Sequence, residues 1–218
     1  GIAAEFDLEN PERFVRRIVK GRYRVTEFLG GDETGLSYLA EDQIVVDKKV
    51  LVRILSEDGY DEIMKSILAE ERVSLSHFSH PNIARLIDSG EFTNGTSFLI
   101  SEFFDALSVN DILQIHGRFS SARAARIIRQ AANALNEAHQ QGIIHRDLRP
   151  QNLIVDASSG EMETVKVVNF GASNGEPTEQ NVLYKAPEVL DGRISTVASD
   201  IFSLAVVAYE MLAGRMPF

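Results

Sequence analysis

The chain has 218 residues, 44% hydrophobic and 25% charged, enough for one or two compact units with a sizeable core. Lysine and arginine total 22 against 32 acidic residues, a formal net charge of −10 that argues against non-specific binding to nucleic acid or to an anionic membrane. There is no cysteine, which excludes disulfides and thiolate metal sites and suits a reducing compartment; no apolar run approaches the roughly 18 residues of a spanning helix, and no signal-peptide pattern opens the chain.

In chain order, residues 11–24 are locally basic, and Phe14, Val15, Ile18 and Val19 recur at helical spacing. This predicts a short helix packed on the domain; a juxtamembrane segment is the sharper alternative. From Tyr23 to about Leu55, short apolar runs punctuated by Gly30–Gly31, Gly35 and Asp47 predict strands. Ile63, Met64, Ile67, Leu68 and Leu75 predict a helix over 60–77. Strands return over 83–103, broken by the turn signal Asn94–Gly95. Helices dominate from there. Ser120 or Ser121 can cap a long helix running to about Gln141, and Gly142 ends it. Residues 199–213 are apolar almost all round, which predicts a buried helix. The expected fold class is α+β in two lobes: an N-terminal extension over 1–22, a β-rich lobe over 23–104 and a helical lobe over 105–218.

The motifs sharpen this. His145-Arg146-Asp147-Leu148-Arg149-Pro150-Gln151-Asn152 resembles the catalytic loop of protein kinases. Other segments fall in the family's order around it. Leu29 to Ala40 is similar to the glycine-rich loop, and Val50-Leu51-Val52-Arg53 stands at the place of the VAIK strand. His80-Pro81-Asn82-Ile83 resembles the turn after the C helix. Asn169-Phe170-Gly171 stands where DFG belongs, Ala186-Pro187-Glu188 is an intact APE, and Ser199 to Leu204 resembles the start of the central F helix. The lead-in Gly142-Ile143-Ile144 and the closing Gly214 to Phe218 are most similar to bacterial serine/threonine kinases. The resemblance implies a two-lobe kinase-like fold whose helical lobe stops after the F helix.

It also implies roles. Asp147 matches the aspartate that accepts the substrate hydroxyl proton, Asn152 a residue that helps hold Mg²⁺, and Arg149 stands for the usual lysine beside the γ-phosphate. His145, Phe170, Glu188 and Asp200 match structural positions, Asp200 tying down the catalytic loop. Leu75, Leu86, His145 and Phe170 match the stacked hydrophobic spine.

Four departures set this chain apart. Asn169 replaces the metal-binding aspartate, offering a neutral carbonyl where the family has an anionic oxygen. Arg53 replaces the lysine that bridges phosphate and the C-helix glutamate; Glu71 is that glutamate, with Glu70 its neighbour, and an Arg53–Glu71 fork could lock the C helix without phosphate. A solvent-facing Arg53 at a slipped register is the plain alternative. The phosphate loop maps onto Gly30, Asp32 and Gly35, beside Gly31. Asp32 puts a side chain and a negative charge at the middle glycine, followed by Glu33, so two carboxylates repel polyphosphate; the plain alternative is an acidic hairpin tip. Leu51 and Ser37 replace the small residue and the valine that pack on the purine, above a hinge at Glu102 and Phe103. The segment Ala172 to Lys185 is short, Asn181 replaces a threonine, and Arg146 could pair with a phosphate on Ser173 or Thr178.

These departures point to a pseudokinase, a regulatory or scaffolding module with a degraded Mg-ATP site and no expected cofactor. The alternative is a weak or unconventional serine/threonine kinase that uses Mg-ATP. The expected setting is cytoplasmic, or the cytoplasmic part of a larger membrane protein, with any membrane contact made by sequence outside this chain. The expected partner is a protein or a second copy, over an F-helix flank of Ile201, Leu204, Val207, Ala208 and Met211; nucleic acid is not expected.

Overall fold

A computed structural model describes residues 10–32, 34–56, 62–157, 163–173, 176–179 and 181–218. Glu33 and the expected helix start at 60 lie outside the described residues. Two compact units emerge, Gly1–Ser66 with Arg85–Phe103, and Ile67–Ala84 with Phe104–Phe218.

The first unit is a six-stranded antiparallel sheet. Its strands are β1 (Ile18–Val19), β2 (Tyr23–Asp32), β3 (Gly35–Asp42), β4 (Lys49–Leu55), β5 (Leu86–Glu91) and β6 (Ser97–Glu102), in the order β1-β2-β3-β4-β6-β5. Period-two alternation decides its faces. Tyr23, Val25, Tyr38, Ala40, Val50, Val52, Ile54, Phe98 and Ile100 form one buried cluster. Register then places Ser37, Leu51, Arg53 and Ser101 together on the opposite face, because Ser37 pairs with Arg53 and Leu51 with Ser101.

The basic stretch at 11–24 is not the expected amphipathic helix. Pro11–Phe14 make one 3-10 turn, and Ile18–Val19 pair with Tyr23 and Arg24 as an edge hairpin. Lys20 and Gly21, both at positive φ, supply the tight turn, and a helix cannot run through two such residues. Phe14 and Val19 still reach the core, whereas Ile18 is half-exposed.

Helix α1 (Glu62–His77) begins in the first unit and continues into the second from Ile67. The second unit adds α2 (Val109–His116), α3 (Ser121–Gln140), the short α4 (Pro187–Leu190) and α5 (Val197–Ala213). Ser120 caps α3 by accepting from the Arg123 amide, and Gly142 follows at φ 74. Ala124, Ile127, Ala131, Ala134, Leu135 and Ala138 form its buried stripe.

Two features qualify the expected predominance of helices. A three-stranded sheet, β7 (Leu107–Ser108), β8 (Leu153–Asp156) and β9 (Thr164–Val167), frames the segment before Asn169. Helix α5 is buried on one side only. Of the flank expected, Ile201 is exposed and Ala208 half-buried, whereas Leu204, Val207 and Met211 are buried; Val197, Tyr209 and Leu212 are exposed beside Ile201. A mainly apolar helix hides which of its faces meets α3, and packing makes that choice. Among the described residues, no helix is long and apolar enough to cross a membrane.

Gly35 closes the β2–β3 hairpin opposite Asp32 at φ 141, and a Cβ there would lie 2.0 Å from the Ile54 carbonyl oxygen. Both the backbone conformation and the clash oppose any side chain. Gly35→Ala is expected to lower the unfolding free energy by about 2 kcal/mol or more, measured by urea denaturation. A loss within about 0.5 kcal/mol, the range of a neutral surface change, contradicts the close approach.

Candidate functional site

The loop 145–152 is set by a carboxylate from α5. Asp200, 1% exposed, accepts from the backbone amides of His145 (2.8 Å) and Arg146 (3.0 Å) and from His139 Nε2 (2.8 Å). Burial alone pushes its carboxyl upward, but the His139 bond and the two amides hold it below its ordinary value. These bonds stabilise Arg146 at φ 68, a conformation that a long side chain avoids when unsupported. His145 is fully buried and packs its ring against Phe170, centroids 4.6 Å apart and planes tilted by 58°. Its Nδ1 accepts from the Asp147 amide and its Nε2 donates to Val168 O, so the ring is used in its neutral form. Leu75 and Leu86 are also buried.

Asp147 emerges from this loop with both carboxylate oxygens engaged. Asn181 Nδ2 donates to Oδ1 at 2.9 Å, and Lys185 Nζ lies 3.7 Å from the same oxygen. Arg149 Nε approaches Oδ2 at 3.1 Å and Asn152 Nδ2 at 3.3 Å. Asp147 is only 5% exposed, and two cations and two carboxamides compensate its burial. Asn181 thus does more than replace a threonine: its amide fixes Asp147 while its carbonyl accepts from the Thr178 amide. Lys185 is a residue that sequence reasoning passed over as a segment boundary. Burial lowers its pKa, and it donates to the Arg146 carbonyl at 2.6 Å. The available signal was a lone cation just before Ala186-Pro187-Glu188.

The two positions expected to hold metal contact one another. Asn169 Nδ2 donates to Asn152 Oδ1 at 2.8 Å, and Asn152 Nδ2 donates to the Asp147 carbonyl at 2.7 Å. Each amide is therefore committed to a protein partner. Asn169 sits at φ 67, which asparagine tolerates better than most residues. Mg²⁺ wants several hard oxygen ligands, and this pair supplies two neutral carboxamide oxygens, that of Asn152 already accepting a bond, and no anionic oxygen. The donor set at these two positions does not fit the ion. Among the described residues, no group of three or more histidine, aspartate or glutamate side chains could hold a metal.

Each half of the expected Arg53–Glu71 fork has partners within its own unit. Inside the first unit, Arg53 Nη2 donates to Asp32 Oδ1 at 2.6 Å and to Thr34 Oγ1, and its Nη1 donates to Ser37 Oγ at 2.8 Å. It is 6% exposed, so a solvent-facing Arg53 is excluded. Inside the second unit, Glu71 takes both terminal nitrogens of Arg146, at 2.6 Å each. Arg146 is thereby committed to α1 rather than to a loop hydroxyl. A guanidinium favours carboxylate acceptors, and each arginine meets one in its own unit.

The remaining candidates are placed as follows. Gly30 is at φ 123, which a side chain would strain, while Gly31 packs closely on Leu36. Leu51 is half-buried beside Arg53's face of β4. Glu102 accepts from the Arg85 amide at 3.0 Å, and Phe103, half-buried, ends the first unit. Glu188 accepts from Ser199 Oγ at 2.9 Å.

Two outcomes are expected. Glu71→Ala leaves the Arg146 guanidinium buried without its acceptor and lowers stability by about 3–5 kcal/mol in chemical denaturation; a loss under about 1 kcal/mol, the value of an exposed pair, contradicts the buried fork. The second concerns acid. Burial pushes the His145 imidazole below its ordinary value, outweighing the upward pull of Asp200 and Asp147. The unfolded chain then binds a proton that the folded chain refuses. Its share of stability is full above the ordinary histidine value of about 6.5 and falls by about 1.4 kcal/mol per pH unit below it, until the folded value is reached. His145→Phe keeps a ring against Phe170 and is expected to flatten the slope between about pH 6.5 and 5, the window just below that ordinary value; an unchanged slope places the titration elsewhere.

Comparison with known proteins shows the family and the fold. The Lactococcus lactis protein named "Probable serine/threonine-protein kinase PknB" is 32% identical over 214 residues, covering 94% of this chain and 33% of that protein. Bacillus subtilis serine/threonine-protein kinase PrkC is 32% identical over 210 residues, covering 92% and 32%. The chain thus spans about a third of the length of the curated relatives it matches. The crystal structure of the Mycobacterium tuberculosis PknI kinase domain superposes with a TM-score of 0.78 at 24% identity, over 94% of this chain and 79% of that one, a likeness of fold. The family model described as "Protein kinase domain" matches residues 23–218, and the chain belongs to the protein kinase family.

Proposed function

We propose that the chain is a pseudokinase, a kinase-fold module that regulates or scaffolds other proteins without turning over Mg-ATP. The observation that carries this reading is the 2.8 Å hydrogen bond from Asn169 Nδ2 to Asn152 Oδ1. Replacing an anionic oxygen by an amide beside a divalent ion forfeits several kcal/mol of attraction; one unit charge at about 4 Å is worth about 4 kcal/mol per opposing unit charge at an effective dielectric of about 20. Engagement of Arg53 by Asp32 supports it further. Regulation needs a surface, and the exposed face of α5 with Val197, Ile201, Tyr209 and Leu212 is the surface this reading assigns to a protein partner or a second copy. Sedimentation as a monomer at all concentrations removes the second copy from the proposal. A cytoplasmic setting belongs to the same reading.

A second reading is a weak or unconventional serine/threonine kinase. It is favoured by the meeting of Asp147, Arg149 and Asn152, and by relatives at 32% identity that are named serine/threonine-protein kinases. There Asp147 is the proton acceptor and Arg149 the cation beside the transferred group.

Thermal melting with and without Mg²⁺ and ATP, followed by radiolabel transfer to a generic protein, separates the two. The pseudokinase reading expects no Mg²⁺-dependent rise in Tm; ligand at about 100 times its Kd stabilises by about 2.7 kcal/mol, which a melt detects readily. It also expects Asn169→Asp with Arg53→Lys to leave turnover far below the roughly 1 s⁻¹ of working kinases, because groups acting as a unit fail together. Transfer by the unaltered chain selects the second reading.

A further inference from the structure

The sequence left Asp32 two readings, a charge that repels polyphosphate and a plain acidic hairpin tip. Its contacts give it a more specific task. The Asp32 carboxylate accepts from Thr34 N (3.0 Å) and Thr34 Oγ1 (2.7 Å), a turn that any Asp-x-Thr sequence can form locally. The same oxygen, Oδ1, accepts from Arg53 Nη2 at 2.6 Å. Arg53 comes from β4, 21 residues along the chain, and reaches Ser37 and Thr34 as well. The guanidinium and the hydroxyls of Ser37 and Thr34 therefore converge from neighbouring strands and their turn. Arg53 is 6% exposed and Thr34 8%. The Arg53 Nε is buried with no hydrogen-bond partner among the described residues, so the guanidinium has capacity left over.

A buried guanidinium flanked by hydroxyls is chemically a seat for an oxyanion, and carboxylate and phosphate compete for such donors. We propose that Asp32 is an internal latch, its carboxylate occupying the oxyanion seat of Arg53, Thr34 and Ser37 and holding it closed against external polyphosphate. The latch rests on the pseudokinase reading and deepens it by naming what fills the arginine position. It explains why an aspartate where the family has glycine is compatible with a buried arginine: the two neutralise each other inside one sheet. The latch carboxylate is tethered and preorganised by Thr34, so an external anion faces a competitor at high effective concentration. Removing the charge while keeping an acceptor opens the seat without dismantling the turn. The side chain introduced by Asp32→Asn still offers a carbonyl oxygen to Thr34 N, which makes this the informative change.

The test measures binding of inorganic tripolyphosphate, without Mg²⁺ and at constant ionic strength, by calorimetry and by shift in Tm. A seat open in about a tenth of molecules or fewer raises the apparent Kd about tenfold or more. Asp32→Asn is therefore expected to bind at least about tenfold more tightly than the unaltered chain, and Asp32→Asn with Arg53→Ala to return to the weak value. Asp32→Gly, which lacks the side chain altogether, is expected to rank with Asp32→Asn. Equal affinity of the unaltered chain and Asp32→Asn overturns the latch. So does failure of both folded Asp32 variants to bind, or binding that survives loss of Arg53. None of these readouts involves phosphate transfer: a chain that phosphorylates protein defeats the pseudokinase reading without altering the order of tripolyphosphate affinities.

Discussion

A single buried carboxylate organises the second unit. Asp200 projects from α5 and receives two consecutive backbone amides and a histidine ring. Consecutive amides can point at one acceptor only if the backbone turns sharply, and Arg146 absorbs that turn at positive φ. The strain is tolerated because buried amides left unsatisfied would each cost a comparable amount or more. From the turned loop, the Arg146 side chain reaches Glu71, the His145 ring reaches Val168 and Phe170, and Asp147 meets Asn181 and Arg149. The family's catalytic constellation is thus first a folding device, and its residues have structural work whether or not phosphate is ever transferred.

The charges obey the same local rule. Arg53 and Glu71, the two halves of the family's bridge, each have an ion-pair partner in their own unit: the part-buried Asp32 for one and the buried Arg146 for the other. Buried ions must be compensated at close range, since desolvation is not recovered by distant charge. Once Asp32 stands in the turn, Arg53 has a carboxylate at 2.6 Å, and its substitution for lysine becomes intelligible, because a fork can serve Asp32, Thr34 and Ser37 together where a point charge cannot. The Asn169–Asn152 bond follows the same logic without charge: one amide donates to the other's carbonyl where a carboxylate would need a cation.

Much of this was legible along the chain. The order of His145-Arg146-Asp147, Asn169-Phe170-Gly171 and Ala186-Pro187-Glu188 implied the family and the two-part α+β organisation, and the family model covers 23–218. The punctuated apolar runs between Tyr23 and Leu55 announced the strands β2 to β4, and Ser120 and Gly142 bounded α3. The basic segment misled because Phe14, Val15, Ile18 and Val19 fit a helical period by count. That period says nothing of the positive φ at Arg16, Lys20 and Gly21 that broke it into a turn and an edge strand.

By itself the sequence determined which chemical groups are present: an asparagine where a metal ligand belongs, an arginine for a lysine, an aspartate for a glycine. Those identities limit what the site can do, because no folding restores a missing negative charge on Asn169. Only the tertiary structure decided which group meets which. Asp32 is 21 residues from Arg53 and Glu71 is 75 from Arg146, and nothing in spacing along a chain selects one acceptor over another at such separations. The choice falls to strand register, to the helix face that packing buries, and to the requirement that each buried charge find its counterion within bonding distance.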